Sequence, residues 1–269
     1  GLSLFLTGYL DDIKFKISPN IRLMIMIFFL IFFINFFSIE IENLDLTFLK
    51  SLVENKFFSN LFVLICFLFI INGANLIDGF NGLLCINLII INSILLFINL
   101  DNNQLQFSFF LTGQIIILVA FLLFNFPKAK IFLGDSGSYL LGSLVSLNAI
   151  ITNNLNPQIS SFFFCVILFY LFYEVFFSFI RKIYLRRSPV LPDSDHLHML
   201  CFKEINKHFD NQKSNYLTSL LINLIYSILV LPSIYFSDNS LVCKYWFFAL
   251  ILIYTLLYFR LYHLKMKSV

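Results

Sequence analysis

Residues 57–100 read FFSNLFVLICFLFII-NGANLIDGFNG-LLCINLIIINSILLFINL, two apolar runs separated by eleven residues of another character. The runs, Phe57–Ile71 and Leu83–Leu100, carry no charge and show no alternation of polar and apolar positions. Such a stretch enters hydrocarbon as a helix, because a lone strand leaves its backbone groups unpaired in lipid. The segment between them, Asn72–Gly82, holds four amide or acid side chains and three glycines. Neither a membrane helix nor a plain connection calls for that composition, so fold and chemistry both hinge on this hairpin.

The same apolar signal recurs outward. Ile21–Phe37, Phe107–Phe126, Ser160–Ile180, Tyr216–Phe236 and Tyr245–Leu264 are comparable runs, and Gly137–Ile151 is shorter and richer in Gly and Ser. Eight spans follow an apolar stub, Leu2–Leu10. The 269 residues are 59% hydrophobic and only 12% charged, with a mean hydropathy of +0.88, too little polar surface for a soluble domain of this size. The expected fold is an all-α, polytopic transmembrane helix bundle forming one integral-membrane domain over residues 1–269. The stub reads as the end of a helix, so further helices are expected ahead of Gly1; it has neither the basic start nor the cleavage site of a signal peptide. Five scattered cysteines without a CxxC pair predict neither a disulfide framework nor a zinc site.

Basic residues orient the chain. Numbering the connections alternately places 15 of the 18 Lys and Arg on one side and only Lys50, Lys56 and Lys244 on the other. By the positive-inside rule the rich side is cytoplasmic. It holds Asp11–Arg22 (with Lys14 and Lys16), Asn72–Gly82, Pro127–Asp135, the long Arg181–Asn215 loop and the C-terminus. The outer loops, such as 153–157 and 237–240, read as short and bland.

Every unusual segment therefore lies on one face. Asp11 and Asp12 are adjacent carboxylates that can take a proton or hold a hard cation against phosphate oxygens, although a solvated helix end is the plainer reading. Asn72, Asn75 and Asp78 recur at i, i+3 and i+6 on one helical face, and Gly79 and Gly82 then permit a sharp turn or close backbone approach. Amides on one face suit a base edge or a sugar hydroxyl; a helix C-cap explains one Asn and one Gly but not the whole run. In Ile131–Ser138, Gly134 and Gly137 bracket Asp135 at the start of a helix, a place that attracts anions and where an Asp can hold Mg²⁺ against a diphosphate; N-capping by Asp135 or Ser136 is the alternative. Arg187–His198 carries His196 and His198 among basic neighbours, fitting phosphate or proton-transfer work better than zinc, for which no third ligand lies nearby. Glu174 sits within a span, seven residues before Arg181 and so on the same face, where the two could pair.

These residues resemble the polyprenyl-phosphate N-acetylhexosamine-1-phosphate transferases. The family's Asp-Asp pair, N-x-x-N-L-x-D-G-x-D/N-G segment, F-x-G-D-x-G-S segment and histidine loop appear in the same order as Asp11-Asp12, Asn72–Gly82, Phe132–Ser138 and Asp193–His198. The resemblance implies a Mg²⁺-dependent enzyme, with Mn²⁺ as the alternative ion, in a bacterial cytoplasmic (inner) membrane with its active site facing the cytoplasm. Its implied partners are a UDP-N-acetylhexosamine, polyprenyl phosphate and membrane lipids, with no nucleic acid and with a homodimer as one assembly. It would place Asp11 and Asp12 beside the lipid phosphate, with Asp11 as base, and Asp135 on the metal. Asn72, Asn75, Asp78, Gly79, Phe80 and Asn81 would frame the nucleotide, His196 and His198 the diphosphate, and Arg22, where the family has Lys, would neutralise phosphate charge. Three positions depart from the pattern. Asn81 stands where Asp is common, Met199 where a further His is, and Ser194 where an Arg is. The loop is closer to the N-acetylglucosamine and O-antigen types than to the phospho-N-acetylmuramoyl-pentapeptide transferases, which remain the alternative within the family. A transporter, the rival of another class, predicts polar groups near mid-membrane in several spans and an internal repeat; the sequence shows no repeat and gathers its polar groups at one surface.

Overall fold

The computed structural model describes residues 1–13, 18–188 and 193–267, so Lys14, Lys16 and the start of the histidine loop at 189–192 lie outside the described residues. The described residues form α1 (Leu2–Asp12), α2 (Pro19–Phe37), α3 (Thr47–Val53), α4 (Lys56–Ile77), α5 (Leu83–Asp101), α6 (Leu105–Asn125), α7 (Gly134–Leu155), α8 (Ser161–Ile167), α9 (Phe169–Tyr184), α10 (Leu197–Ile205), α11 (Asn211–Val230) and α12 (Ser240–Lys267). A 3₁₀ turn, Leu231–Phe236, follows α11, and no strand occurs among the described residues. The all-helical membrane bundle read from the sequence is the fold found.

Among the described residues, six helices are long and apolar enough to cross a membrane alone, and α8 with α9 makes a bent seventh if the pair is one span. The eighth segment of the sequence reading is α7. Its 22 residues reach about 33 Å at 1.5 Å per residue, but Ser138, Ser143, Ser146, Asn148 and Thr152 along it are buried in the bundle. α7 is an inner helix, and its polar residues face protein, not lipid. α5 is likewise central, with 61% of its apolar stretch buried, against 17% for α2, α6 and α12. Large apolar side chains on those outer helices, among them Phe28, Phe36, Ile117 and Leu123, are exposed in a way a bilayer explains and water does not.

Three features differ from the sequence reading. The Ser160–Ile180 run is not one straight helix: it breaks between α8 and α9 and turns by 75°. No Pro or Gly marks the break. The Tyr226 hydroxyl of α11 instead donates to the carbonyl of Ile167 at the bend, satisfying a group the helix ladder gives up. Second, the polar groups do not all gather at one surface. Asn148 donates to Asn92 (2.9 Å) and Gln114 (2.8 Å), joining α7 to α5 and α6 inside the bundle. These amides satisfy one another, which ties helices together in a medium where burying apolar surface gives no drive to associate. Third, the far loops are more than bland connections. Asn154 accepts from the Glu42 amide and donates to the Glu40 carbonyl, and Asp45 accepts from Ser160 and Ser161.

α1 packs along α7 with Gly8 at the crossing. A Cβ there would come within 2.4 Å of the Asp135 carbonyl carbon and the Ser136 nitrogen, both backbone atoms that cannot step aside. Gly8→Ala is therefore expected to push α1 off the start of α7 and lower the unfolding temperature by several degrees, while circular dichroism still reports a folded bundle.

Candidate active site

Four helix ends meet at one end of the bundle: the C-termini of α1 and α4 and the N-termini of α2 and α7. Ser18 caps α2 and Pro19 opens it, placing Arg22 in the first turn, beside α1. The Arg22 guanidinium lies between two carboxylates, with Nη1 2.6 Å from Asp11 Oδ2 and 2.5 Å from Asp135 Oδ2. Asn75, in the last turn of α4, donates to Asp135 Oδ1 (2.8 Å) and Ser138 Oγ (3.0 Å). Asp11, Arg22, Asn75 and Asp135, far apart in sequence, form one connected group.

Asp12 does something the sequence did not show. Its Oδ1 accepts from the Asp135 backbone N–H (3.0 Å), and its Oδ2 accepts from the Ser136 N–H (3.1 Å) and hydroxyl (2.6 Å). It caps α7 from a different helix, so the expected self-capping by Asp135 or Ser136 is replaced by a carboxylate from α1. Gly134 makes this approach possible: its φ is +65°, and a Cβ would sit 2.8 Å from both Asp12 oxygens. The adjacent acids thus separate in role, Asp11 facing Arg22 and Asp12 holding α7.

The turn between α4 and α5 closes the site from the next side. Gly82 has φ +76°, as a left-handed turn requires, and its N–H donates to Asn125 (2.7 Å). Asn81 donates to the Pro127 carbonyl (3.0 Å) and its own N–H donates to Asn215 (2.9 Å), pinning the turn to the α6–α7 connection and to α11. Gly79 has no positive φ and no neighbour within 4 Å of where a Cβ would stand, so it opens space at the turn instead of enabling a close contact. Asn72 is not turned to the acids: its amide donates to Leu68 on its own helix (2.7 Å). Of the three residues expected on one face, Asn75 and Asp78 serve the cluster and Asn72 does not reach it.

Asp78 ends α4. Burial, and then the negative charges of Asp135 and Asp12, push its carboxyl up to about 7 from an ordinary 3.8. A raised folded value means the native protein keeps a proton the unfolded chain has lost, so stability falls as pH rises from about 4 to about 7. Asp78→Asn is expected to unfold at a higher temperature than the parent at pH 8 without metal, and at the same temperature at pH 4. An equal difference at both pH values would show that Asp78 carries no such charge strain.

The histidine segment forms a second group. His196 is the N-cap of α10, and its ring stacks on that of His198, with centroids 5.4 Å apart and planes 3° from parallel. His196 Nδ1 lies 3.2 Å from Glu174 Oε1, and Nε2 lies 3.2 Å from Asp193 Oδ1. Glu174 also accepts from the Leu197 N–H (3.1 Å) and the Tyr254 hydroxyl (2.7 Å). The pairing of Glu174 with Arg181 expected from their seven-residue spacing does not form. Arg181 instead grips both Asp193 oxygens (2.9 and 2.7 Å) and bonds Tyr258. Burial alone would raise the Asp193 carboxyl, but the Asp195 N–H and Arg181 outweigh it and hold it low. Burial, helped by His196, drives His198 down to about 4 against the opposing pull of Glu174, so His198 is neutral at cellular pH. Its Nδ1 is buried with no partner among the described residues. Phe80 links the two groups, its ring 5.7 Å from that of His198 and two residues along the chain from Asp78.

Sequence reasoning missed the roles of Ser138 and Tyr254 and the Glu174–His196 bond, and read Ser136 only as a cap of its own helix. The serines could have been found in the Gly-Asp-Ser-Gly-Ser run; nothing local announces Tyr254. The acid cluster offers only oxygen donors, which suits a hard cation held by one or two carboxylates plus substrate phosphates. Among the described residues, no three acid or histidine groups converge closely enough to cage an ion unaided.

Residues 1–153 match the sequence profile of "Glycosyl transferase family 4". The chain is 30% identical to an undecaprenyl-phosphate α-N-acetylglucosaminyl 1-phosphate transferase of Thermotoga maritima over 77% of its own length and 61% of that protein's. A probable undecaprenyl-phosphate N-acetylglucosaminyl 1-phosphate transferase of Bacillus subtilis is 27% identical over 71% of the chain and 53% of its own length. A phospho-N-acetylmuramoyl-pentapeptide-transferase of Leuconostoc mesenteroides is 41% identical, but over only 30% of the chain and 25% of its own length. The chain thus spans roughly half to three fifths of the first two relatives. The profile match runs through α1, α4 and the start of α7, which carry the acid cluster, and the chain belongs to glycosyl transferase family 4.

Proposed function

We propose that this protein transfers an N-acetylhexosamine 1-phosphate, with N-acetylglucosamine as the leading sugar, from a UDP-sugar to undecaprenyl or another polyprenyl phosphate. UMP is released. The reaction takes place at the cytoplasmic face of a bacterial membrane and serves cell-envelope polysaccharide synthesis. The observation that carries this reading is the bridge of Arg22 between Asp11 and Asp135 where four helix ends meet. A cation held between acids at the end of a bundle is a place to seat phosphate beside lipid.

An oxygen of the polyprenyl phosphate forms a bond to the β-phosphorus of the UDP-sugar, and the bond from that phosphorus to the bridging oxygen breaks, the charge leaving on UMP. Asp11, near the C-terminus of α1, takes a proton from the lipid phosphate, and Arg22 offsets charge on the phosphates. Asn75 orients Asp135, and Asp12 fixes the turn of α7 on which Asp135 rides. Bound Mg²⁺, with Mn²⁺ as a substitute, would be held by Asp135 together with Asp11 or Asp78, and would neutralise the diphosphate. The open side of Gly79, with Phe80 and Asn81, suits the nucleotide. His198, being neutral, supplies a hydrogen bond and not a charge, while Glu174 and Asp193 fix the ring of His196.

UMP release by the purified protein, with polyprenyl phosphate, Mg²⁺ and a panel of UDP-N-acetylhexosamines, tests the reading. The panel includes the UDP-N-acetylmuramoyl-pentapeptide that a phospho-N-acetylmuramoyl-pentapeptide transferase would use. Release that needs both lipid and metal, with UDP-N-acetylglucosamine preferred, is expected. No release with any sugar from folded protein would overturn it and reopen the transporter alternative.

A further inference from the structure

A cavity of about 310 Å³ lies between α9, α10, α11 and α12, away from the acid cluster. α12 gives it one face, on which Leu250, Tyr254, Leu257, Arg260 and Leu264 follow at intervals of three or four residues. From Leu250 to Leu264 is fourteen residues, about 21 Å along the helix. The space is elongated along α12. α11 and α12, consecutive in the chain, pack on α10 but scarcely on each other, because the cavity separates them.

The lining selects the occupant. It is almost wholly apolar, and a water molecule needs two to four polar partners to be held. The Tyr226 and Tyr254 hydroxyls are already committed, to Ile167 and Glu174, and the Tyr170 hydroxyl, buried without a partner among the described residues, is by itself fewer than the two partners a water needs. Arg260 is the one charged residue among the lining residues, exposed one turn before Leu264, with no ion-pair partner among the described residues. An apolar tube with a single cation near one end fits a hydrocarbon tail carrying a negative head. No residue of α1, α2, α4 or α7 lines it. A lipid whose phosphate lies between Asp11, Arg22 and Asp135 therefore does not thread its tail here.

We propose that the cavity holds one acyl chain of an anionic glycerophospholipid from the surrounding bilayer, with its phosphate on Arg260, and that this lipid backs the histidine helix. Leu197 and Cys201, on α10 between and just beyond the two histidines, form part of the wall. Tyr254 lines the cavity and also donates to Glu174, which holds His196. The tail thus stands behind the contacts that fix the stacked rings. Binding does not depend on the proposed transferase reaction and is measured without turnover.

The test uses the protein in nanodiscs doped with phosphatidylglycerol bearing a diazirine in one acyl chain, followed by irradiation, digestion and mass spectrometry. Label is expected to concentrate on the cavity-facing residues of α11 and α12, such as Leu229 and Leu257. Arg260→Gln is expected to cut it at least fivefold and Arg260→Lys to retain most of it, while Leu257→Trp, which fills the tube, is expected to abolish it. Diacylglycerol with the same photoreactive chain should label weakly, and excess polyprenyl phosphate should not displace the phosphatidylglycerol. Even labelling of outer helices such as α2 and α6 would overturn the proposal. Equal labelling by diacylglycerol, displacement by polyprenyl phosphate, or cross-links joining two copies through this face would each do the same. Gel filtration and circular dichroism on each variant separate loss of the lipid from loss of the fold.

Discussion

Asp135→Asn is expected to lower UMP release at least a thousandfold while leaving the bundle folded. Asp135 is the centre of the acid cluster: its two oxygens receive Asn75 and Arg22, and its own backbone N–H is held by Asp12. Asparagine preserves shape and one acceptor, so the contact with Asn75 can survive. It removes the charge that faces Arg22 and, under the proposed function, an oxygen that would hold the cation. Losing one preorganised electrostatic group at a reacting phosphate typically costs two to three powers of ten, and loss of the bound ion adds to that. Rates across a Mg²⁺ series separate the two contributions. A variant rescued by high Mg²⁺ has lost ion affinity; one that stays inactive has lost alignment. Turnover near that of the parent would remove Asp135 from the mechanism.

Glu174→Ala is expected to be the most damaging single change outside the acid cluster, and to act through position. It leaves three buried partners without their acceptor: the His196 ring, the Leu197 N–H and the Tyr254 hydroxyl. At about 1–3 kcal/mol for each unsatisfied buried group, roughly 3 kcal/mol or more of stability should go. A lower unfolding temperature in detergent shows it. Turnover is expected to fall about a hundredfold, the usual consequence of a group shifted by an ångström. Glu174→Gln keeps an acceptor for Tyr254 but sets an amide against His196 or Leu197, and should fall between. If both variants keep parental turnover, the histidine pair is structural only.

The sequence made the helical bundle plain because hydrocarbon admits no other use of its apolar runs. It also pointed to residues that come together, since Asp11, Arg22, Asn75 and Asp135 are costly residues at the ends of such runs and form one connected group. Asn72 shows the limit of that reasoning: helical spacing puts it in line with Asn75, but a carbonyl on its own helix is nearer. The bend was hidden because the group that satisfies the Ile167 carbonyl, the Tyr226 hydroxyl, lies 59 residues further along the chain.

What the sequence determined by itself, then, is every element whose cause is local: which runs are helices, which end of each is polar, and which residue types lie there. What only the tertiary structure decided is which partner each polar group takes. Asp12 caps α7 instead of its own surroundings, Glu174 holds His196 instead of Arg181, and Asn148 finds Asn92 and Gln114. The physical reason is the same in each case. A polar group inside a bundle must be satisfied, several candidates of the right chemistry exist along the chain, and only the packing of helices fixes which one lies within 3 Å.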